Sequence, residues 1–295
     1  MGNKEITLPV TDEAAFSEHW DVVIQPRSRI GGIDFYALWR YRDLVWMFFK
    51  RDFITLYKQT ILGPLWYLIQ PSLTAFTYFI VFGKIAGLST NGVPPLLFYM
   101  SGIVLWTYFA NCLTNNSEVF SKNASLFSKV YFPRLVVPLS VAMSGAVAFV
   151  IQFSLLVLLV GLFVARGEIL WPGTSALLIP LLMVNVGVLG VGVGLIVSAL
   201  TVRFRDLAFA TGFVTQLWMY ATPVVYTFQQ IPQKYYWFFF MNPMTAPVET
   251  FRHMLFGSPA VPASIWIANI GVTLILLFLG VVLFSRAESS AMDTV

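Results

Sequence analysis

Charge is scarce in this sequence. Asp, Glu, Lys and Arg make up 11% of 295 residues, apolar residues 58%, and the mean hydropathy is +0.76. A soluble domain carries about 25% charged residues, so the composition excludes an ordinary soluble enzyme and reads as a polytopic, all-α integral membrane protein. Cysteine is nearly missing. Cys112 stands alone, which excludes a disulfide within the chain, and its apolar surroundings mark a small packing residue. Histidine occurs only at His19 and His253, too far apart in sequence for a metal-ligand spacing. No G-x-x-x-x-G-K-[ST] occurs, so no loop of that kind cradles ATP phosphates.

Acids are few where chemistry would need them. Beyond residue 60 they are Glu118, Glu168, Asp206, Glu249, Glu288 and Asp293. The near pair Glu288 and Asp293 lies in the C-terminal tail, so a transferase or polymerase lacks carboxylates at a membrane face. None falls within an apolar run, which argues against an ion-coupled carrier. The first thirty residues have no apolar core for a signal peptide, and the N-terminus is expected in the cytoplasm. Energy for any transport is expected from another chain.

What is present begins with a polar extension over 1–32, followed at 33–58 by a stretch both basic and aromatic. At 100° per residue, Arg40, Asp43, Lys50 and Arg51 share one arc, with Leu38, Val45, Trp46, Phe49 and Phe53 opposite. Arg42 and Asp52 stray from that arc. Each charge would cost about 2.5–3.5 kcal/mol at a bilayer centre, so 33–58 is expected to lie in the interface as an amphipathic helix. A soluble amphipathic helix is the alternative.

Apolar runs long enough to cross a bilayer follow at 63–82, 96–113, 135–165, 175–200, 207–226 and 265–284. Gln70-Pro71 interrupts the first and Pro223 the fifth. Between the second and third runs sits a polar elbow, 115–140, carrying Lys122, Lys129 and Arg134. With the N-terminus inside, fourteen of the eighteen Lys and Arg fall on the cytoplasmic side. Lys84, Arg166, Lys234 and Arg252 fall outside. That asymmetry predicts six spans with both ends and the elbow cytoplasmic.

The stretch 226–265 is apolar but broken. Tyr235–Met241 and 246–256 are each too short to span, and Asn242-Pro243 forces a turn between them. Paired short helices dipping into the outer leaflet are expected; a loop with one interfacial helix is the alternative. Gly187, Gly190, Gly192 and Gly194 give the fourth run a small-residue face, expected to serve close packing inside the subunit. Aromatics recur in the runs: Trp66, Tyr67, Tyr78, Trp106, Tyr108, Phe109, Trp218 and Tyr220. Taken singly, each fits the interfacial belt of Trp and Tyr. Together with Gln70, Asn111, Gln152, Asn185 and Gln216 they would suit a neutral lining on which sugars slide, ring faces packing on pyranose C–H groups.

Four segments carry a resemblance. They are Tyr57-Lys58-Gln59-Thr60-Ile61-Leu62-Gly63-Pro64-Leu65-Trp66, then Asn123-Ala124-Ser125-Leu126-Phe127-Ser128-Lys129-Val130-Tyr131-Phe132-Pro133-Arg134. Arg203-Phe204-Arg205-Asp206 follows, and Asn242-Pro243-Met244 stands ahead of Phe251-Arg252. In this order, over about residues 33–285, the sequence resembles the membrane subunit of polysaccharide-exporting ABC transporters, the ABC-2 type branch that handles O-antigen and teichoic acid. Val22-Val23-Ile24-Gln25-Pro26 resembles the extension of O-antigen-like export forms.

The resemblance implies a permease half that is not itself an enzyme, homodimeric, in the bacterial inner (plasma) membrane. Its expected partners are two cytoplasmic ABC ATPase subunits, which would hold the ATP and Mg, and a lipid-linked polysaccharide among membrane lipids; no nucleic acid is expected. It implies an interface helix at 33–58, a six-span domain at 59–285 and a cytoplasmic tail at 286–295. A coupling helix is implied at about 121–130, in an elbow of about 115–134, and paired outer gate helices at about 230–257. In the elbow, Leu126 and Phe127 would dock in an ATPase groove, with Lys122, Asn123, Lys129 and Arg134 beside them and Arg40 and Arg51 on the interface helix. Tyr235, Tyr236, Asn242, Pro243, Glu249 and Arg252 would form the outer gate, and the eight aromatics above the channel. Export of another lipid or a drug is the alternative within this fold. A membrane glycan polymerase or transferase is the alternative from another class.

Overall fold

The computed structural model describes residues 35–292 apart from 59, 60, 128, 131 and 205. The extension at 1–32 lies outside the described residues, as do Gln59, Thr60, Ser128, Tyr131 and Arg205 of the four segments. Among the described residues every regular element is helical.

The basic-aromatic stretch folds as α1 (Phe35–Arg40) and α2 (Arg42–Tyr57). Its expected apolar side divides: Val45 is buried, Leu38, Phe49 and Phe53 are half-buried and Trp46 is exposed, while Phe48, off that side, is buried and Trp39 and Met47 are exposed. Neighbours in sequence stand 100° apart on a helix, so α2 cannot turn both Val45 and Trp46 to one neighbour. Phe48, one turn on from Val45, takes the inner place and meets Phe132 edge-on at 5.6 Å.

The first span opens on the 3-10 turn Gly63–Leu65, runs as α3 (Trp66–Tyr78) and finishes in a π-helical segment, Phe79–Ile85. Pro71 sits inside α3. Its hydroxyls return to the backbone one turn back: Ser72 donates to Leu68 O (2.5 Å) and Thr77 to Leu73 O (2.8 Å). Such bonds let hydroxyls sit on an apolar helix without an unpaired donor.

The centre of the subunit is α4 (Pro95–Ser117), buried along most of its length and packed against α3, α7, α8, α9 and α11. The elbow behind it contains α5 (Val119–Lys122) and α6 (Ala124–Phe127). The single helix expected at 121–130 is thus two one-turn pieces broken at Asn123. Asn123 Nδ2 donates to Val119 O at 3.0 Å, a side-chain bond that competes with helix continuation.

Next come α7 (Val136–Ala165) and α8 (Ile179–Arg203), the latter entered through the turn Thr174–Leu178. The small-residue face of α8 packs inside the subunit. A methyl group on Gly190 would lie 2.7 Å from Cys112 Cβ of α4, and one on Gly194 2.7 Å from Asn116 Cβ. Gly192 faces the other way, where a methyl group would lie 2.8 Å from the Leu277 nitrogen.

The helix α9 (Leu207–Tyr220) has 14 residues, about 21 Å of rise against a hydrocarbon core of about 30 Å. The apolar run expected to continue to 226 leaves helical geometry at Ala221, beside Pro223. Two short helices follow, α10 (Tyr236–Met241) and α11 (Thr245–Phe256), joined through Asn242, Pro243 and Met244. Gly257, at φ 68°, closes α11 in the left-handed conformation glycine tolerates. The last helix, α12 (Ala263–Met292), carries helical structure through most of the tail expected at 286–295.

Five helical stretches among the described residues are long and apolar enough to cross a membrane. They are Trp66–Ile85, Pro95–Ser117, Val136–Ala165, Thr174–Arg203 and Ala263–Ala287. Length and composition therefore give five such helices where six runs were expected, the shortfall being α9.

Candidate functional site

The coupling candidates occupy one end of the bundle. Phe127 lies 5.9 Å from Phe120, 5.8 Å from Phe132 and 5.2 Å from the Arg134 guanidinium. Phe120 stacks on Phe284 of α12 at 4.5 Å. Phe127 and Leu126 are half-buried in this cluster, which also contains Val45 and Phe48 of α2 and Val136 of α7. The chain's own aromatics thus cover part of the Leu126-Phe127 pair expected to dock in an ATPase groove, and part of each side chain stays open. Arg134 is buried too, so it is no surface cation. The exposed members are Lys122, which pairs with Glu118 at 2.6 Å, Lys129 and Val130. Arg40 is exposed, and Arg51 pairs with its neighbour Asp52 at 2.8 Å over the Phe48 ring.

The aromatic candidates separate into two groups. Trp106, Tyr108 and Phe109, expected among the lining residues, are buried within the chain. Phe109 meets Trp218 at 5.1 Å and Tyr108 meets Phe149 at 5.2 Å, all inside the subunit. Most of α4 is enclosed by its neighbours, these three aromatic residues included, and a stripe through Thr107, Asn111 and Asn115 stays partly open. Trp66 and Tyr220 keep open surface, about half and somewhat under half. Tyr67, Tyr78 and Trp218 are half-buried, with the Tyr78 hydroxyl 3.8 Å from Met219 Sδ of α9. The open faces belong to α3 and α9. Leu73 and Phe76 line one, and Phe209, Phe213 and Leu217 the other.

The outer-gate candidates build the tightest polar site among the described residues. Arg252 is 1% exposed. Its Nη1 donates to Pro223 O at 2.6 Å and its Nη2 to Val224 O at 2.7 Å, while Nη1 lies 3.2 Å from Glu249. The guanidinium rests 3.6 Å from the Phe98 ring centroid. Burial pushes the Glu249 carboxyl up, opposed by Arg252. Burial lowers Arg252 to about 10, opposed by Glu249, so the arginine keeps its charge at neutral pH.

Asn242 holds the same break from the other side. Its Nδ2 donates to Ala221 O (3.0 Å) and Thr222 Oγ1 (2.8 Å), and its Oδ1 accepts from Trp218 Nε1 (2.9 Å) and Met244 N (3.0 Å). The Ala221, Pro223 and Val224 carbonyls freed where α9 ends thus find donors in Asn242 and in Arg252 of α11. Pro243 accepts from Asn269 Nδ2 of α12. Tyr235 and Tyr236 are not drawn into this network; Tyr236 packs on Phe228 at 4.7 Å, and Tyr235 is nearly half exposed.

Several partners were invisible to sequence reading. Phe98 and Gly102 of α4 shape the Arg252 socket: a methyl group on Gly102 would lie 2.9 Å from Val224 O and 3.0 Å from Arg252 Nη2. Pro223, in an apolar run, was a usable signal that carbonyls there need donors. Nothing in the local pattern says that Arg252, 29 residues on, supplies them.

The pattern of the ABC-2 type transporter family matches residues 43–256, from α2 through α11. Two O-antigen export system permease proteins RfbA of Klebsiella pneumoniae are 27% and 28% identical over 212 residues, covering 72% of this chain and 80% of each relative. The O-antigen export system permease protein RfbA of Myxococcus xanthus is 26% identical over 258 residues, 86% of this chain and 96% of the relative. The family match takes in both the elbow and the Arg252 network, and the apolar helices embed the chain in a membrane: it belongs to the ABC-2 type transporter family.

Proposed function

We propose that this chain is the permease half of an ATP-driven exporter that moves a lipid-linked, O-antigen-like polysaccharide across the inner (plasma) membrane. It works as a homodimer with two separate cytoplasmic ATPase subunits, which hold the ATP and Mg. The observation that carries the reading is the similarity to O-antigen export permeases along most of the chain, elbow included. In support of a sixth crossing, α9 and the non-helical residues after it together approach the thickness of the hydrocarbon core, returning both termini to the cytoplasmic side with most Lys and Arg.

Movement enters at the elbow. Lys122, Lys129 and Val130 offer the exposed surface for an ATPase, and Phe127 ties that surface to α2, α7 and α12 through Phe120, Phe132 and Phe284. The glycan passes along the open apolar and aromatic faces of α3 and α9 between two copies, past Trp66 and Tyr220, and leaves beneath the gate formed by α10 and α11. A path with aromatic faces and no carboxylate suits sugar rings and their hydroxyls.

Co-purification tests the reading. The tagged permease should bring down an ATPase carrying its own phosphate-binding loop, and the reconstituted pair should hydrolyse ATP faster with lipid-linked glycan than without. A permease that makes or extends glycan with no ATPase bound would establish the polymerase alternative. Turnover stimulated by a drug or an unglycosylated lipid would establish the other.

A further inference from the structure

The break after α9 is where a membrane-embedded chain should be weakest, since Pro223 and the turn around it leave carbonyls without helical donors. Among the described residues it is instead densely held. Arg252 donates to the carbonyls of Pro223 and Val224, and Asn242 to the Ala221 carbonyl and the Thr222 hydroxyl. Phe98 and Gly102 floor the socket from α4. By contrast α9 buries only Thr211, Thr215 and Met219, and leaves Phe209, Phe213 and Leu217 open.

We propose that Arg252 is a positioning residue for export, one that divides the outer end of the molecule into a fixed collar and a moving arm. Its fork fastens the chain at Pro223 and Val224 to α11 and to the outer half of α4, beside the Ala221 and Thr222 bonds of Asn242, so the collar keeps its shape through the transport cycle. The arm is α9, which tilts about its upper end where Trp218 is bonded to Asn242. The side chain must be arginine because two carbonyls 29 and 28 residues away are met at once by two nitrogens of one planar group. A lysine ammonium keeps the charge beside Glu249 but not the fork. This rests on the exporter reading above.

Spin labels at Gln229 and Ser264, both exposed, read the collar, and labels at Phe209 and Ser264 read the arm. The labelled chain is diluted into unlabelled chain in the full complex, so that only intrachain distances appear. In the wild type the collar distance should be narrow and unchanged between nucleotide-free and vanadate-trapped states, while the arm distance shifts. Arg252→Gln should broaden the collar distance already without nucleotide, and raise the ATP hydrolysed per glycan exported at least about fivefold, the scale of a site-to-site coupling. Arg252→Lys should fall between. Loss of general stability would lower hydrolysis and export together and leave that ratio alone. Gly102→Ala keeps every charge and presses on Val224 O, so it should broaden the collar in the same sense; it carries the test if Arg252→Gln fails to assemble.

A narrow collar distance in both variants, or a wild-type collar that shifts as far as the arm, would overturn the proposal. If the wild type exports no glycan and its arm ignores nucleotide, the exporter reading fails instead. The nucleotide-free collar width then still decides what Arg252 holds.

Discussion

Arg252 and Glu249 show how burial turns a surface residue type into a structural one. A charged pair this deep gains little net stability over an apolar pair, since desolvation offsets the attraction. Breaking it is another matter. Arg252→Met leaves two carbonyls and a carboxylate without their donor and should cost about 3–5 kcal/mol, read as loss of unfolding free energy in detergent. Adding Glu249→Gln to that variant removes the stranded charge, so the double variant should be less damaged than the two single losses summed, by about 1 kcal/mol or more. Additive losses would mean the two side chains do not act as one unit. The sequence showed that Arg252 and Glu249 stand three apart on a short helix; it could not show that the carbonyls they serve come from a different helix end.

At the scale of elements, the α8 glycines and the elbow carry opposite lessons. The glycine face of α8 was legible, because spacing of small residues on a helix points to close packing wherever the partner lies. Gly194→Val should destabilise by about 1–3 kcal/mol through overpacking against Asn116 and the Leu113 carbonyl. Gly271→Ala, with nothing within 4 Å, should be neutral or stabilise by about 0.5–1 kcal/mol through helix propensity. Thermal unfolding of the two variants side by side checks both. In the elbow, the polar pattern gave the location but not the packing. Lys129→Glu combined with Val130→Asp should lower glycan-stimulated ATP turnover several-fold with an unchanged melting temperature, because both side chains are exposed. Phe127→Asp should lower the melting temperature itself, since it buries a carboxylate among Phe120 and Phe132.

At the scale of the whole molecule, coverage is uneven. α4 is the most buried of the five long helices and α3 the least, and α9 leaves a row of Phe and Leu outside. If a second copy meets these faces, Phe213→Cys in a chain lacking Cys112 should form a disulfide between copies in membranes. Leu158→Cys on the exposed side of α7 should stay monomeric. Crosslinking at Leu158 and none at Phe213 would place the contact elsewhere.

The sequence by itself determined the membrane class, the number of apolar runs, the place of the elbow and the family. All of these follow from composition, run length and short ordered motifs, which are local along the chain. Tertiary structure decided which aromatics are core, since Trp106, Tyr108 and Phe109 look like Trp66 in sequence and differ only in what surrounds them. It also decided that α9 stops short as a helix, and that a distant arginine holds the carbonyls its ending exposes. The reason is the same in each case: burial and hydrogen-bond satisfaction depend on neighbours that the chain brings together from far apart.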